Sequence, residues 1–417
     1  MKILLYSLNY APELTGIGKY SGEMCEWLAE NGNEVRVICA PPYYPQWQVD
    51  KPYYSWQYGA EKRQNVSVYR CPLFVPKQPK TITRLIHLFS FGVSSLPVLF
   101  KQWSWKPDVV ICIEPTFFCV PATLLFCKLR NTKSLLHIQD FELDAMLGLG
   151  FGKSGLIANF AGRIERWLMR RFDLISSISY SMQQKVKDKT NQAEKVFYFP
   201  NWVDTDFLSP DADPTFFRKL WGISNTTRIV LYSGNMGKKQ GLEIVLQAAA
   251  QLRHEPDLLF LMIGSGAAQE ELMQQAEELK LENLRFYPLQ PYEHLPSLMV
   301  LADLHLVVQK KGAADSVLPS KLTTILAVGG ECVITAEENT ELGLLCKEYP
   351  GIAICIEPEN ADVLTTTLKK KLLTLPLKTP GFFNKIAHQF ALDNLKKDQI
   401  LGRLISKLEE QKTADHL

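Results

Sequence analysis

Arg228-Ile-Val-Leu-Tyr-Ser-Gly-Asn-Met-Gly-Lys-Lys-Gln-Gly-Leu-Glu243 is the stretch on which the fold turns. An apolar, β-rich run stops at Gly234, and a loop carrying Asn235, Lys238 and Lys239 follows. Then Leu242, Val245, Leu246, Ala249 and Leu252 recur at helical spacing. That order predicts strand, loop and helix. The helix start presents unpaired N–H groups and a positive dipole end, and the lysines add full charges beside it. An anion fits there, a diphosphate above all. The same glycines also serve a plain tight turn with solvated lysines, and both readings stand at this point.

Downstream, the pattern continues as strand Leu258 to Ile263 with Gly264 and Gly266, helix 268–279, strand Leu284 to Tyr287, helix 292–301 and strand His305 to Val308. A loop through Lys310 to Lys321 precedes a helix ending at Gly329-Gly330. Strands Cys332 to Thr335 and Ile352 to Ile356 follow, and then a basic helical tail over roughly 384–411.

The first half opens the same way. Ile3 to Leu8 is a strand, the loop after it holds Gly16 and Gly18, and a helix from about Tyr20 stops at Asn31-Gly32 before strand Glu34 to Ala40. Ligands of doubly wound folds bind at the carboxyl ends of such strands. Strand Ser134 to Ile138 therefore delivers Asp140, Glu142 and Asp144 to a place where catalytic side chains are displayed. The three carboxylates also read as exposed loop charges or a helix cap. Residues 41–65, rich in Pro, Tyr, Trp and Gln, are expected to form an irregular loop whose aromatics pack it or stack on a sugar. Residues 204–221 read as a turn-rich, acidic hinge. Asp204-Thr-Asp206 and Asp211-Ala-Asp213 there resemble a metal-holding D-x-D but sit as turn aspartates would.

Lys77 to Phe100 has a basic lead and an apolar run shorter than the roughly 18–20 residues that span a bilayer. It is either a core-facing helix or a segment that dips into a membrane surface with its cations on lipid phosphates. Gly148 to Gly155 misses the Walker spacing, because position 147 is Leu.

Composition sets the outer limits. A chain of 417 residues suggests two or three domains. With 46 basic against 44 acidic residues there is no global attraction to nucleic acid. Nine scattered cysteines without a C-x-x-C pair read as reduced thiols of a cytosolic protein, and residues 1–10 look like a first strand in place of a signal peptide.

Taken together, Tyr10-Ala-Pro-Glu-Leu-Thr-Gly-Ile-Gly-Lys-Tyr20, Gln139-Asp-Phe-Glu-Leu-Asp144, Pro200-Asn-Trp-Val-Asp204, the Gly234 loop and Leu318-Pro-Ser-Lys-Leu322 are similar, in this order, to retaining glycosyltransferases of the GT-B fold, family 4, from colanic acid and other exopolysaccharide assembly. The resemblance covers nearly the whole chain. It implies two Rossmann-like α/β domains facing across a cleft, 1–203 on the acceptor side with the 400–417 tail packing back on it, and 204–399 for the nucleotide sugar. It assigns the donor diphosphate to Lys239, with Gly234, Asn235, Lys238, Ser320, Lys321, Leu322 and Thr324 around the donor and Gly16 and Gly18 approaching the leaving phosphate. Asp140 takes a catalytic place at the acceptor edge, beside Glu142 and Asp144, with Gln139 where relatives carry a histidine. Two family glutamates fall on Ser316 and Thr324, for which Asp315 and Lys321 substitute in part.

The resemblance further implies no cofactor, no obligatory metal, and a lipid-linked or oligosaccharide acceptor, the former carried on a polyprenyl diphosphate, reached from the cytoplasm with peripheral contact at the inner membrane. Two rival functions share the fold: a sugar-nucleotide epimerase and a non-catalytic binding protein.

Overall fold

The computed structural model describes the chain except at positions 14, 15, 78, 116, 142–154, 313–317, 376–381 and 414–417. It divides into two compact units, Met1–Asn201 with Leu401–Leu417, and Trp202–Ile400.

The first unit runs β1 (Lys2–Tyr6), α1 (Gly16–Glu30), β2 (Glu34–Cys39), β3 (Gly59–Arg63), β4 (Val66–Arg70), α2 (Thr81–Lys101), β5 (Val109–Glu114), α3 (Val120–Arg130), β6 (Lys133–Ile138), α4 (Gly155–Met169), β7 (Leu174–Ser177), α5 (Tyr180–Thr190) and β8 (Val196–Tyr198). Its sheet has the order β3-β4-β2-β1-β5-β6-β7-β8, parallel throughout except where β3 meets β4. Every residue of β5 is buried, as a central parallel strand covered on both faces requires.

Within the expected irregular loop over 41–65, residues 59–63 are instead a strand, β3. Gln64 and Asn65 both take positive φ, 42° and 67°, and turn β3 back on β4 as a two-residue hairpin. β3 is a charged edge strand, Gly-Ala-Glu-Lys-Arg, so it lacks the apolar alternation that announces a strand.

The second unit runs α6 (Thr215–Trp221), β9 (Arg228–Ser233), α7 (Glu243–Gln251), β10 (Leu258–Ile263), α8 (Gln269–Glu278), β11 (Leu284–Tyr287), α9 (Leu295–Leu301), β12 (Leu304–Val307), α10 (Ser320–Ala327), β13 (Cys332–Thr335), α11 (Glu341–Glu348), β14 (Ile354–Ile356), α12 (Ala361–Thr374) and α13 (Lys385–Asn394). The parallel sheet has the order β11-β10-β9-β12-β13-β14. Alternate residues of β9 serve opposite cores: Ile229 and Leu231 pack on one side, Val230 and Tyr232 on the other.

The supposed hinge over 204–221 belongs to this unit. Phe217 of α6 is fully buried in its core, and the Arg218 guanidinium donates to the carbonyls of Ser224 (2.5 Å) and Thr227 (3.0 Å). The expected single helical tail is two helices, α13 and α14 (Lys397–Thr413), broken at Leu395 and Lys396. Leu401, Leu404 and Leu408 of α14 are buried in the first unit. Lys412 Nζ lies 3.0 Å from Asp108 Oδ1 at the amino end of β5, and Asp108 also accepts from the N–H of Lys2.

Each sheet reverses direction once. In the first unit the chain lays strands to one side of β1 and then starts again at β5; in the second it does so between β9 and β12. Such switch points leave a crevice at the carboxyl edge, because the two flanking connections leave on opposite faces.

Candidate active site

The Gly234 loop leaves β9 beside the second unit's switch point. Its first N–H donates to the Ile263 carbonyl (2.9 Å), and the Met236 N–H donates to the Ser265 carbonyl (2.8 Å), so it lies flat on the loop after β10. Gly234 and Gly264 take φ of 146° and 144°, a region that other residues rarely adopt. A Cβ on Gly264 would collide with the Gly234 carbonyl. Only glycine lets the two backbones meet.

Lys238 and Lys239 form an exposed turn ahead of α7. The Lys239 carbonyl accepts from the N–H of Lys310 (3.0 Å), which ties this loop to the one after β12 across the switch point. The stem of Lys310 covers Gly241, and its Nζ lies 3.4 Å from Glu243 Oε1. Both charges are about two-fifths exposed, so this pair adds little to stability.

Lys321 is the second residue of α10. Its Nζ donates to the Tyr232 hydroxyl (3.3 Å) and stands 4.6 Å from the centre of the Tyr232 ring. Tyr232 in turn donates to the carbonyl of Asn235 (2.6 Å), and burial holds its phenol far above the usual range, so it stays neutral. A Cβ on Gly234 would lie 4.0 Å from Lys321 Nζ. The bare face of Gly234 therefore looks at an ammonium.

Around this centre, Thr324 Oγ1 donates to the Ser320 carbonyl (2.9 Å). Leu322 is fully buried in the core, and its N–H donates to the Pro319 carbonyl (2.9 Å). Gln309, two residues past β12, is buried, and its side-chain oxygen has no hydrogen-bond partner. Asp315 and Ser316 lie outside the described residues.

In the first unit the two glycines after β1 divide their roles. Gly18 is packed by the carboxylate of Glu13, which sits where a Cβ would point. Gly16 has φ of 57° and no atom near its missing side chain. The buried Glu13 carboxylate accepts from the N–H groups of Tyr43 (3.0 Å) and Tyr44 (3.1 Å) and from Asn9 Nδ2 (2.9 Å). Burial nevertheless pushes its pKa above the ordinary carboxylate value, against those bonds. Arg70 clamps the same loop from β4, donating to the carbonyls of Ala11 (2.5 Å) and Ala40 (3.0 Å) while held by Glu61.

Asp140 is exposed just past the end of β6, at the carboxyl edge. Phe141 beside it is buried under Lys185 and Lys189, at 4.6 and 4.9 Å from its ring centre. Glu142 and Asp144 lie outside the described residues. His137 does not reach this loop: it is buried within β6, its Nδ1 is 2.9 Å from Ser176 Oγ, and burial pulls its pKa down to about 3. Among the described residues no group of His, Cys, Asp and Glu is gathered as a metal site. Asp204 and Asp213 accept from the N–H groups of Phe207 and Thr215, capping their own turns.

Tyr232, Lys310, Gln309 and Glu13 escaped the sequence reading as site residues. Tyr232 lies inside the opening stretch but reads there as core. Only Lys310 had a signal, a basic pair after a strand.

Residues 15–202 match the model of the glycosyl transferase 4-like domain, and residues 213–379 match that of glycosyl transferases group 1. The chain is 50% identical to the Escherichia coli K12 protein named as a colanic acid biosynthesis glycosyl transferase, WcaI, over 98% of this chain and 100% of that protein. It is 24% identical to the N-acetyl-alpha-D-glucosaminyl L-malate synthase of Bacillus anthracis over 45% of this chain and 50% of that one. Among solved structures, sucrose-phosphate synthase from Thermosynechococcus elongatus has a TM-score of 0.71 at 14% identity, covering 99% of each chain. Anabaena HepE, in complex with UDP and glucose, has a TM-score of 0.67 at 15% identity, covering 98% of this chain and 99% of that one. These structures share the GT-B fold of two Rossmann-like domains.

Proposed function

The chain belongs to the glycosyltransferases of group 1, and from that premise we propose that it moves a sugar from a nucleotide diphosphate to a saccharide carried on a polyprenyl diphosphate, in the assembly of colanic acid or a similar exopolysaccharide. The pathway comes from the name of the E. coli relative, and the nucleotide from HepE, whose structure holds UDP.

One observation carries the reading: the bare face of Gly234 looks at the Lys321 ammonium at the carboxyl edge beside a topological switch point. The Gly234 loop and the start of α10 offer a bare backbone face and a fixed cation to a diphosphate, with Lys239 on the exposed turn of the same loop. When the bond from the sugar to the diphosphate breaks, negative charge grows on the departing oxygen. Groups already oriented toward it stabilise that state without rearranging. Tyr232 holds Lys321 in place, and Lys310 holds the loop bearing Lys239.

Asp140, at the carboxyl edge of the first unit, receives the acceptor. Attack occurs on the face the diphosphate leaves, so the anomeric configuration is retained, and the lysines supply the positive charge that a metal supplies elsewhere. A lipid-borne acceptor puts the enzyme at the cytoplasmic face of the inner membrane.

A panel of UDP- and GDP-sugars tests this, scored by thermal stabilisation and by release of nucleoside diphosphate with a polyprenyl-diphosphate saccharide present. Stabilisation by one donor and acceptor-dependent release are expected. Conversion of the donor without any acceptor would instead make the protein an epimerase, and stabilisation without release would make it a binding protein.

A further inference from the structure

The apolar run after Lys77, expected to be shorter than a bilayer span, lies in a 21-residue helix, α2, that is long and apolar enough to cross a membrane by length and composition. One of its faces is fixed in the first unit's core: Leu88, Phe91, Val98 and Leu99 are buried, and Ser95 Oγ is hydrogen-bonded to the Tyr6 hydroxyl of β1. It lies on the sheet as a surface helix. The opposite face of such a helix ordinarily carries charge. Here that face exposes Ile82, Ile86, Phe89, Val93, Pro97 and Phe100, an apolar stripe reached by charge only at Lys101, with Ile82 67% and Phe89 56% exposed.

The neighbouring helices repeat the pattern. Phe118, just before α3, meets Phe89 edge to face at 5.8 Å and begins a second exposed stripe with Leu125 and Leu129. α4 exposes Phe160, Ile164 and Trp167 at spacings of four and three. The connections from β4 to β5, β5 to β6 and β6 to β7 all step the same way along the sheet. Right-handed crossovers therefore set α2, α3 and α4 on one face.

Charge identifies the occupant. Residues 62–139 contain eleven lysines and arginines and only two carboxylates, Asp108 and Glu114. Glu114 is buried, and Asp108 is engaged by Lys412 at the amino edge. The apolar stripes thus have a cationic rim: Lys77, Lys80 and Arg84 at one end of α2, Lys101 at the other, and Lys128 on α3. A second copy docked on this face would bring the same cations against themselves.

We infer that the α2–α3–α4 face is a docking surface for an anionic lipid bilayer, its stripes entering the acyl boundary and its rim taking the headgroup phosphates. α2 starts from the carboxyl end of β4, so Lys77, Lys80 and Arg84 lie at the edge of the sheet that also carries Asp140. The purpose of this docking rests on the lipid-borne acceptor proposed above; its physics does not.

Flotation of the full chain with vesicles tests it. The protein should float with phosphatidylethanolamine–phosphatidylglycerol vesicles, less so as salt rises, and stay behind with phosphatidylcholine alone. The triple variant Ile86→Ser, Phe89→Ser, Val93→Ser changes only exposed side chains, so its circular dichroism and Tm should match the parent while its vesicle-bound fraction falls about tenfold or more. Flotation of the variant equal to the parent, or no flotation of the parent, overturns the inference. So does a parental dimer that the substitutions convert to monomer, since the face would then belong to a second copy. Intact flotation with no acceptor-dependent release strikes the catalytic reading and leaves this one standing.

Discussion

The ammonium of Lys321 stands 3.3 Å from the hydroxyl of Tyr232, so a cation from the start of α10 is held by a side chain from the end of β9, 89 residues earlier. Tyr232 gives its own proton to the Asn235 carbonyl and has a lone pair left for the lysine. A mobile side chain becomes a positioned one.

Lys321→Ala should lower acceptor-dependent release of nucleoside diphosphate about 100-fold, as loss of a preorganised charge does. Tyr232→Phe keeps the cation but loosens it and should cost about tenfold, the worth of roughly one hydrogen bond. Steady-state rates of both variants check the order; equal effects would show that Tyr232 does more than position.

Lys239 occupies an exposed turn, so Lys239→Ala should leave stability within about 0.5 kcal/mol of the parent. Turnover should fall about tenfold or more because the diphosphate loses a full charge. Unchanged donor binding by calorimetry together with unchanged turnover would remove this residue from the site and the cradle argument with it.

Gly264→Ala combines a disfavoured φ with a collision on the Gly234 carbonyl. Urea unfolding should show a loss of about 2 kcal/mol or more, and donor affinity should fall with it, since the displaced strand end carries the loop. Gly402→Ala, inside α14 with no atom within 4 Å, is the control and should gain up to about 1 kcal/mol.

Acid should destabilise the chain through its buried imidazoles. Burial lowers the His87 pKa to about 4 and that of His137 to about 3, from an ordinary 6.5. Between those values the unfolded chain binds a proton that the folded chain refuses, so stability falls as pH drops from about 6.5 toward 4. The slope is about 1.4 kcal/mol per pH unit for each group. Glu13, with its raised pKa, acts in the opposite sense, which is why the comparison must be between variants. Denaturation midpoints across this range should vary less in His87→Gln than in the parent.

The parallel strands and the Gly234 loop were legible because a buried strand between two covering layers is a continuous apolar run, as β5 and β10 are. β3 was not, because an edge strand needs no apolar face. Helix α6 hid among turn residues, although Phe217 and Trp221 were there to be read at helical spacing. Tyr232 could not be told from core, since its ring is core and only its hydroxyl serves the site. Lys310 and Lys321 join the Gly234 loop through contacts across 67 to 89 residues, which no local pattern contains. The same limit applied to α2: its apolar run was plain, but which of its faces meets the protein depends on Tyr6 and the sheet beneath.

Helix α14 leaves a mark on the order in which the first unit can be completed. Leu401, Leu404 and Leu408 fill the base of a unit whose other residues end at Asn201. A ribosome releases those first 201 residues long before it supplies the plug. The amino-terminal unit must therefore wait, with an uncovered apolar floor, until α14 has been made. Loss of α14 alone would strand the first unit unfinished.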